Sequence, residues 1–311
     1  MNNLLTVGSV AFDAIETPYG KTDKILGGAG TYISLAASYF GISSNIISVV
    51  GNDFPDQYFN LLHQHNINTD GIEVKKDGKT FFWSGKYREN MNIRDTLITE
   101  LNVLAEFNPK VPENYQNADI LMLGNLTPII QRQVIERLHK RPKLIAMDTM
   151  NFWMNIMFDE LLKTISMVDV LMINDEEARQ LSGENSLIRA SRKIIELGPK
   201  YLIIKKGEHG AFLMDRNNIF TVPAYPVIEV FDPTGAGDTF AGGFCGYLAN
   251  TDDFSFENMK NAVIAGSAMA SFCVEKFGTE KIQNLNHSEI RERIDKFTSL
   301  TQFSFPQNIE I

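Results

Sequence analysis

The 311-residue sequence predicts an α/β fold, with a mostly parallel, doubly wound sheet, helices on both of its faces and a small β-sheet lid. Three observations carry that expectation. Short apolar runs alternate with helical patterns along the chain, as in successive βαβ units. The C-terminal third is helical. One stretch, residues 72–102, breaks the rhythm with β-prone residues, turns and no helix.

Taken in order, residues 4–10 are the first strand, a short apolar run that reaches Gly8-Ser9 and is followed by Asp13. Residues 28–40 read as a helix whose small residues Ala36, Ala37 and Ser38 permit close packing on a sheet. Residues 45–50 are a second strand. Apolar runs at 120–123, 144–147, 168–173 and 201–204 supply four more, and 131–139 and 187–197 carry helical periodicity. Helices are expected over 236–249, 255–274 and 288–298. Within the break, Asp77-Gly78 marks a turn, and Phe81, Phe82, Trp83 and Tyr87 follow. Alternation puts Phe81 and Trp83 on one face and Phe82 on the other. A flap of two or three strands that is apolar on both faces is not stable alone in water. One face is expected to cover a site. The other meets either a second subunit, giving a homodimer through the lid, or the chain's own core. The expected organisation is one domain over residues 1–311, with a lid formed mainly by 72–102 and a contribution from about 12–24.

Composition limits the function. The net charge is −9 and no Lys/Arg cluster creates a basic field, which argues against nucleic acid as a partner. No apolar stretch approaches the ~20 residues that span a bilayer. The N-terminus lacks a basic segment and a cleavage site, so a cytoplasmic location is expected. Cys245 and Cys273 are too few for a disulfide framework and read as small buried residues.

The strongest chemical signal is the string Asp232-Pro233-Thr234-Gly235-Ala236-Gly237-Asp238-Thr239-Phe240. Two glycines around one alanine allow a tight turn, and the small apolar residues that follow form a helix. The loop therefore aims backbone N–H groups of Gly235, Ala236, Gly237 and Asp238 from a helix N-terminus, which suits an anion. Asp238 is expected to stay ionised at neutral pH in that field. It can then take a proton from a hydroxyl while the N–H groups stabilise a transferring phosphoryl group. The plain alternative, a helix cap with a glycine turn, would suit a shorter match.

This string resembles the C-terminal signature of the ribokinase-like (PfkB) family of carbohydrate and nucleoside kinases, and the resemblance extends over nearly the whole chain. Gly27-Gly28-Ala29-Gly30 is similar to the family's paired-glycine substrate motif, and Asp13 stands where the family has a substrate-binding Asp. An Asp there can accept two hydroxyl hydrogen bonds from a polyol. Asn174-Asp175-Glu176-Glu177 resembles the family's Asn-x-x-Glu element, which implies that Asn174 and Glu177 help hold Mg2+ and phosphates through water. The same residues also make a good helix start. Lys205-Lys206-Gly207 resembles the turn beside ATP, with Lys205 in place of a common Thr; Lys205 can meet phosphate or point to solvent. Gly266 lies in the region that resembles the adenine contact. Asp232, Thr234, Cys273, Lys276 and Gly278 match the places that, in relatives, surround a monovalent cation such as K+, mostly through backbone carbonyls.

The resemblance implies an ATP- and Mg2+-dependent kinase acting on a hydroxyl of a sugar, with Asp238 as base. A nucleoside kinase is the alternative. Many ribokinase-type members have Asn where this chain has Tyr32, which can stack on a ring or belong to the core. Trp83, Arg88 and Asn90 are candidate substrate contacts from the lid. Two other classes fit less well. An NAD-dependent oxidoreductase needs a Gly-x-Gly-x-x-Gly after the first strand, where this chain has Gly8-Ser9-Val10. A silent sugar-binding protein needs no Asp238.

Overall fold

The computed structural model describes residues 2–302 and Ser304. Its first half contains β1 (Asn3–Val7), β2 (Ala11–Thr17), β3 (Gly20–Lys21), β4 (Ile25–Gly27), α1 (Ala29–Ser38), β5 (Ser43–Gly51), α2 (Asp56–Gln64), β6 (Ile67–Lys75), β7 (Phe82–Tyr87), β8 (Arg94–Glu100) and β9 (Ile120–Leu123). Then come α3 (Pro128–Arg137), β10 (Leu144–Asp148), α4 (Asn151–Ile156), α5 (Phe158–Ile165), β11 (Val170–Asn174), α6 (Asp175–Ser182), α7 (Leu187–Glu196) and β12 (Tyr201–Lys205). The chain continues through β13 (Ala211–Met214), β14 (Ile219–Val222), α8 (Ala236–Thr251), α9 (Phe256–Cys273) and α10 (His287–Thr301).

Nine strands form the main sheet in the order β14-β13-β12-β11-β10-β9-β1-β5-β6. Pairing is parallel from β6 across to β12, and β13 and β14 close the edge as antiparallel strands. Alternate residues of each strand enter different cores. Leu4, Met122 and Ala146 pack with Phe240 and Phe244 of α8, while Leu5, Leu121 and Ile145 pack with Val134 of α3 and Ile194 of α7. Both faces are thus covered, which explains the continuous apolar runs. Each large side chain buried in this way contributes roughly 1.5–3 kcal/mol. Helices α1, α8 and α9 pack at very short range: a Cβ on Gly242 would stand 2.2 Å from Ile33 O, and one on Gly266 2.7 Å from Phe240 O.

The strand order reverses beside β1. The chain proceeds from β1 to β5 and β6 on one side and resumes with β9 on the other. Ligands of open α/β sheets bind outside the C-terminal strand ends at such a switch point. Asp148, Asn174 and Lys205 are the last residues of β10, β11 and β12, at that edge.

A second sheet, β3-β2-β7-β8 with β4 also on β2, stands over the same edge. Of the expected segment 72–102, residues 72–75 belong to β6 in the main sheet, and β7 and β8 are the strands that project. Strand β2 overlaps the 12–24 region, and Asp13 lies in it. Phe82 turns its face to the chain's own core with Phe12, Phe54 and Tyr58. Strand β8 is exposed along its whole length. Among the described residues no helix is long and apolar enough to cross a membrane.

Candidate active site

The string 232–240 forms the turn into α8. Gly235 caps the helix with φ 74°. A Cβ there would lie 2.4 Å from Tyr32 Cε1, so glycine is required by space as well as by backbone angle. A helix leaves its first N–H groups without acceptors in the helix itself. Ala236 N–H turns back to Pro233 O at 3.2 Å, so it is not free for an anion. The N–H groups of Gly237 and Asp238, in the first turn of α8, remain to meet one.

Asp238 sits in that first turn, facing a charged wall. Lys205 Nζ donates to Asp148 Oδ2 at 2.7 Å, and a Cβ on Gly237 would stand 3.0 Å from the same Nζ. Lys205 therefore joins the end of β10 to the start of α8, and the solvent-pointing option falls. Burial pushes the Asp238 carboxyl up to about 7, with Asp148 adding to the rise and Lys205 and Arg94 opposing it. The expected full ionisation at neutral pH does not hold, because desolvation outweighs the helix terminus. Burial would lower the Lys205 ammonium, but Asp148 and Glu177 outweigh it and hold it above its ordinary value.

Asn174 and Glu177 form a reciprocal cap on α6: Glu177 N–H donates to Asn174 Oδ1 at 2.8 Å, and Asn174 N–H to Glu177 Oε2 at 2.7 Å. Burial and then Asp148 raise the Glu177 carboxyl to about 7. Among the described residues no group of three or more His, Cys, Asp or Glu could hold a metal alone. The pair Asp148 and Glu177 fits Mg2+, which keeps several waters and needs one or two carboxylates beside phosphates.

On the opposite side, Asp13 is 4% exposed on β2. Its carboxylate lies against Gly27, where a Cβ would come within 1.9 Å of Oδ2. Gly28 has φ 92°, and a Cβ there would strike Ser9 O at 2.5 Å. Ser9 in turn accepts from Ala29 N–H at its Oγ and from Gly30 N–H at its carbonyl, locking the glycine turn onto the end of β1. Burial, followed by Asp232, raises Asp13 to about 7, and the Gly28 N–H opposes the rise. Tyr32 is 1% exposed beneath Gly235, with a hydroxyl that has no hydrogen-bond partner. It is a wall of the chamber and does not offer an open ring face.

Asp232 is fully buried and bridges two segments, accepting from Thr234 N–H at Oδ1 and from Gly278 N–H at Oδ2, both at 2.8 Å. Cys273 Sγ donates to Thr234 O, and Lys276 lies over the Phe231 ring. The expected cation residues do meet. Their carboxylate is already satisfied, which leaves backbone carbonyls as the available ligands.

The second sheet closes the chamber. Trp83 pairs in register with Asp13, and Thr234 Oγ1 donates to Tyr87 Oη at 3.1 Å. A Cβ on Gly207 would lie 3.8 Å from Asn92 Oδ1, so the β7–β8 hairpin spans from Asp13 to the Gly207 turn. Arg88 is not brought to the site: it is exposed and makes two 2.9 Å hydrogen bonds to Asp95 in the hairpin. Asn90 accepts from Asn92 and Ile93 N–H groups in that turn. The arginine that faces the chamber is Arg94, stacked 5.0 Å from the Trp83 ring centre. Gly266 is placed at the α8–α9 contact described above. Sequence reasoning missed Asp148 and Arg94. Asp148 had a signal, an acid directly after an apolar run at the edge that Asn174 and Lys205 share.

The family description "pfkB family carbohydrate kinase" matches residues 1–284. A cytidine kinase of Thermococcus kodakarensis is 27% identical over 248 residues, covering 78% of this chain and 87% of that protein. A nucleoside kinase of Methanothermobacter thermautotrophicus is 25% identical over 328 residues, covering 96% of each. Among solved structures, a chain from E. coli provisionally described as ribokinase II, in complex with ATP and Mg2+, superposes with a TM-score of 0.77 at 21% identity, covering 96% of this chain and all of that one.

Proposed function

Because the chain belongs to the pfkB family of carbohydrate kinases, we propose that it transfers the γ-phosphate of ATP to a hydroxyl of a small sugar, with Asp238 as the general base. The observation that carries this reading is the convergence of Asp238, Asp148, Lys205 and Asp13 on one chamber under the N-terminus of α8. Asp13 and the Gly27-Gly28 turn hold the acceptor's hydroxyls. Asp238, poised at about 7, accepts the proton of the attacking hydroxyl. The Gly237 and Asp238 N–H groups and the Lys205 ammonium stabilise charge that develops on the phosphoryl oxygens. Asn174, Gly207 and Gly235 border the nucleotide. Glu177 and Asp148 would hold Mg2+, which would supply further neutralisation of phosphate charge. K+ near Asp232, Thr234, Cys273, Lys276 and Gly278 would act through carbonyls alone, as a support of the Gly235 turn.

The second sheet acts as the lid, excluding water that would otherwise receive the phosphoryl group. The chain is read as one kinase domain carrying this lid, with a cytoplasmic home that suits its two free, buried cysteines. A homodimer through β8 is also proposed, since Leu97 and Ile98 are 54% and 46% exposed on that edge strand. Light scattering at twice the chain mass supports it, and a monomer removes it.

A nucleoside acceptor is the second reading. It is favoured by Trp83, an indole on the chamber face of the lid beside Asp13. It is also favoured by the cytidine and nucleoside kinases among the relatives. Asp13 serves the ribose hydroxyls in either case. Asp238→Asn tests the shared mechanism: turnover should fall by ~10²–10⁴-fold with ATP binding retained. Near-native turnover in this variant removes Asp238 as the base.

A further inference from the structure

The chamber is rich in carboxylates, and its cations are unequally committed. Lys205 is paired with Asp148. Arg88 is spent on Asp95. Among the described residues, Arg94 forms no ion pair. It stands opposite Tyr87 in the β7–β8 register, on the same face of the lid as Trp83, whose indole lies over Gly85. The guanidinium is stacked on that indole at 5.0 Å. Tyr87 is tied through its hydroxyl to Thr234 in the turn into α8, so this part of the lid is anchored at the catalytic loop.

We propose that Arg94 is a substrate-contacting residue that binds an oxyanion, a phosphate or carboxylate in class, in the space between Asp13 and Asp238. A planar guanidinium held on an aromatic face keeps its N–H fork pre-organised for such a group. Stacking supplies the support that a carboxylate partner would otherwise give, and it leaves the guanidinium N–H groups other than the one turned to Tyr87 for an anion. The charge of Arg94 acts on both carboxyls, lowering Asp13 and Asp238 against their burial. Its stacking on Trp83, the register partner of Asp13, and its place opposite Tyr87, which reaches Thr234, set it at the gap between acceptor and base. The inference rests on the kinase reading for its substrate. The anion can come from two sources: the phosphoryl group in transfer, or an anionic substituent of the acceptor.

The test uses the full chain with Trp153→Phe, which leaves Trp83 as the single tryptophan. Inorganic phosphate is titrated while Trp83 fluorescence is followed, in that parent and in its Arg94→Met and Arg94→Lys derivatives. A saturable change in the parent, lost in Arg94→Met and partly retained in Arg94→Lys, supports the proposal. Equal phosphate response in parent and Arg94→Met, or no response in either, overturns it. Since Arg94 is exposed, unchanged melting temperatures should accompany these results. Kinetics then assign the source. If the phosphoryl group is bound, Arg94→Met lowers kcat by ~10²-fold for every acceptor with KM little changed. If the acceptor carries the anion, the loss falls on KM and is confined to sugar phosphates or sugar acids. An Arg94-dependent phosphate response in a protein that phosphorylates no acceptor would sink the kinase reading and leave the anion site standing.

Discussion

At the wall formed by the ends of β10, β11 and β12 and the start of α8, Asp148, Glu177, Lys205 and Asp238 are held by buried strands and by one another's charges. The lid works differently. Trp83, Tyr87 and Arg94 come from β7 and β8, and β8 is exposed from end to end. Chemistry that is the same for every acceptor belongs on the part that cannot move, because misplacement of a base or donor is costly. Choice of acceptor belongs on the part that can change its surface without unfolding the core. Substitutions in the wall should therefore affect turnover of all acceptors alike, and substitutions in the lid should discriminate among them, save at Arg94 if it is the phosphoryl group that Arg94 holds.

Apart from loss of the base itself, the largest expected effect is at Lys205. Lys205→Met leaves Asp148 buried without its partner, at a cost to stability of roughly 3–5 kcal/mol. It also lowers kcat by ~10²-fold for every acceptor. Urea unfolding and steady-state kinetics measure the two. The double variant Lys205→Met/Asp148→Leu should regain stability without regaining activity. A loss of activity that differs between acceptors would break the division between wall and lid.

Asp13 sits where the two regions meet. Asp13→Ala should weaken acceptor use by roughly 1–3 kcal/mol through unpaired substrate hydroxyls, and leave ATP affinity near that of the unaltered protein. Calorimetry with each ligand separates the two. Equal losses would mean that Asp13 supports the fold of β2 and not the acceptor.

The wall should also show strain in its pH dependence. Asp238 is raised from an ordinary carboxyl value to about 7, so the folded state binds a proton that the unfolded state has released between roughly pH 4 and 7. Stability therefore falls as pH rises through that window. Asp238→Asn should raise the free energy of unfolding at pH 8 more than at pH 5, by about 1–4 kcal/mol. An identical change in stability at both pH values would contradict the raised carboxyl. The activity of the unaltered protein runs the other way, rising with pH toward an inflection near 7 as the base ionises.

The smallest effect is expected at Glu177. Glu177→Gln keeps much of the cap on α6 but removes a charge from the metal side, so the Mg2+ concentration for half-maximal rate should rise several-fold, with maximal rate little changed. An unaltered titration would leave Glu177 as a helix-start residue.

The wall was far more legible than the lid. Gly235, Gly237 and Asp238 are dictated by a local turn, and local turns are written in consecutive residues. Asn174 and Glu177 combine a cap with a charge in the same way. Lys205 was located, but its inward direction depends on Asp148, 57 positions away. The raised carboxyl of Asp238 is not legible in the sequence, because it comes from burial and from Asp148, distant in sequence. Tyr32 looked available for stacking, yet the chain crossing at Gly235 covers it. In the lid, Arg88 and Arg94 have the same chemistry, and the choice between them is set by hairpin register and the bulge between Ser84 and Gly85. No spacing in the sequence reveals that bulge. The antiparallel edge of β13 and β14, and helices α2, α4 and α5, also passed unmarked, because their apolar patterns are short.

The central claim is phosphoryl transfer from ATP to a hydroxyl of a small sugar, free or within a nucleoside. It is tested most directly by incubating the unaltered protein with ATP, Mg2+ and single sugars and nucleosides, and measuring ADP and phosphorylated product together. The account predicts that at least one acceptor yields product and ADP in equal amounts, and that Asp238→Asn yields neither at a comparable rate. ADP released without any phosphorylated acceptor, or product formed equally well by Asp238→Asn, would contradict it.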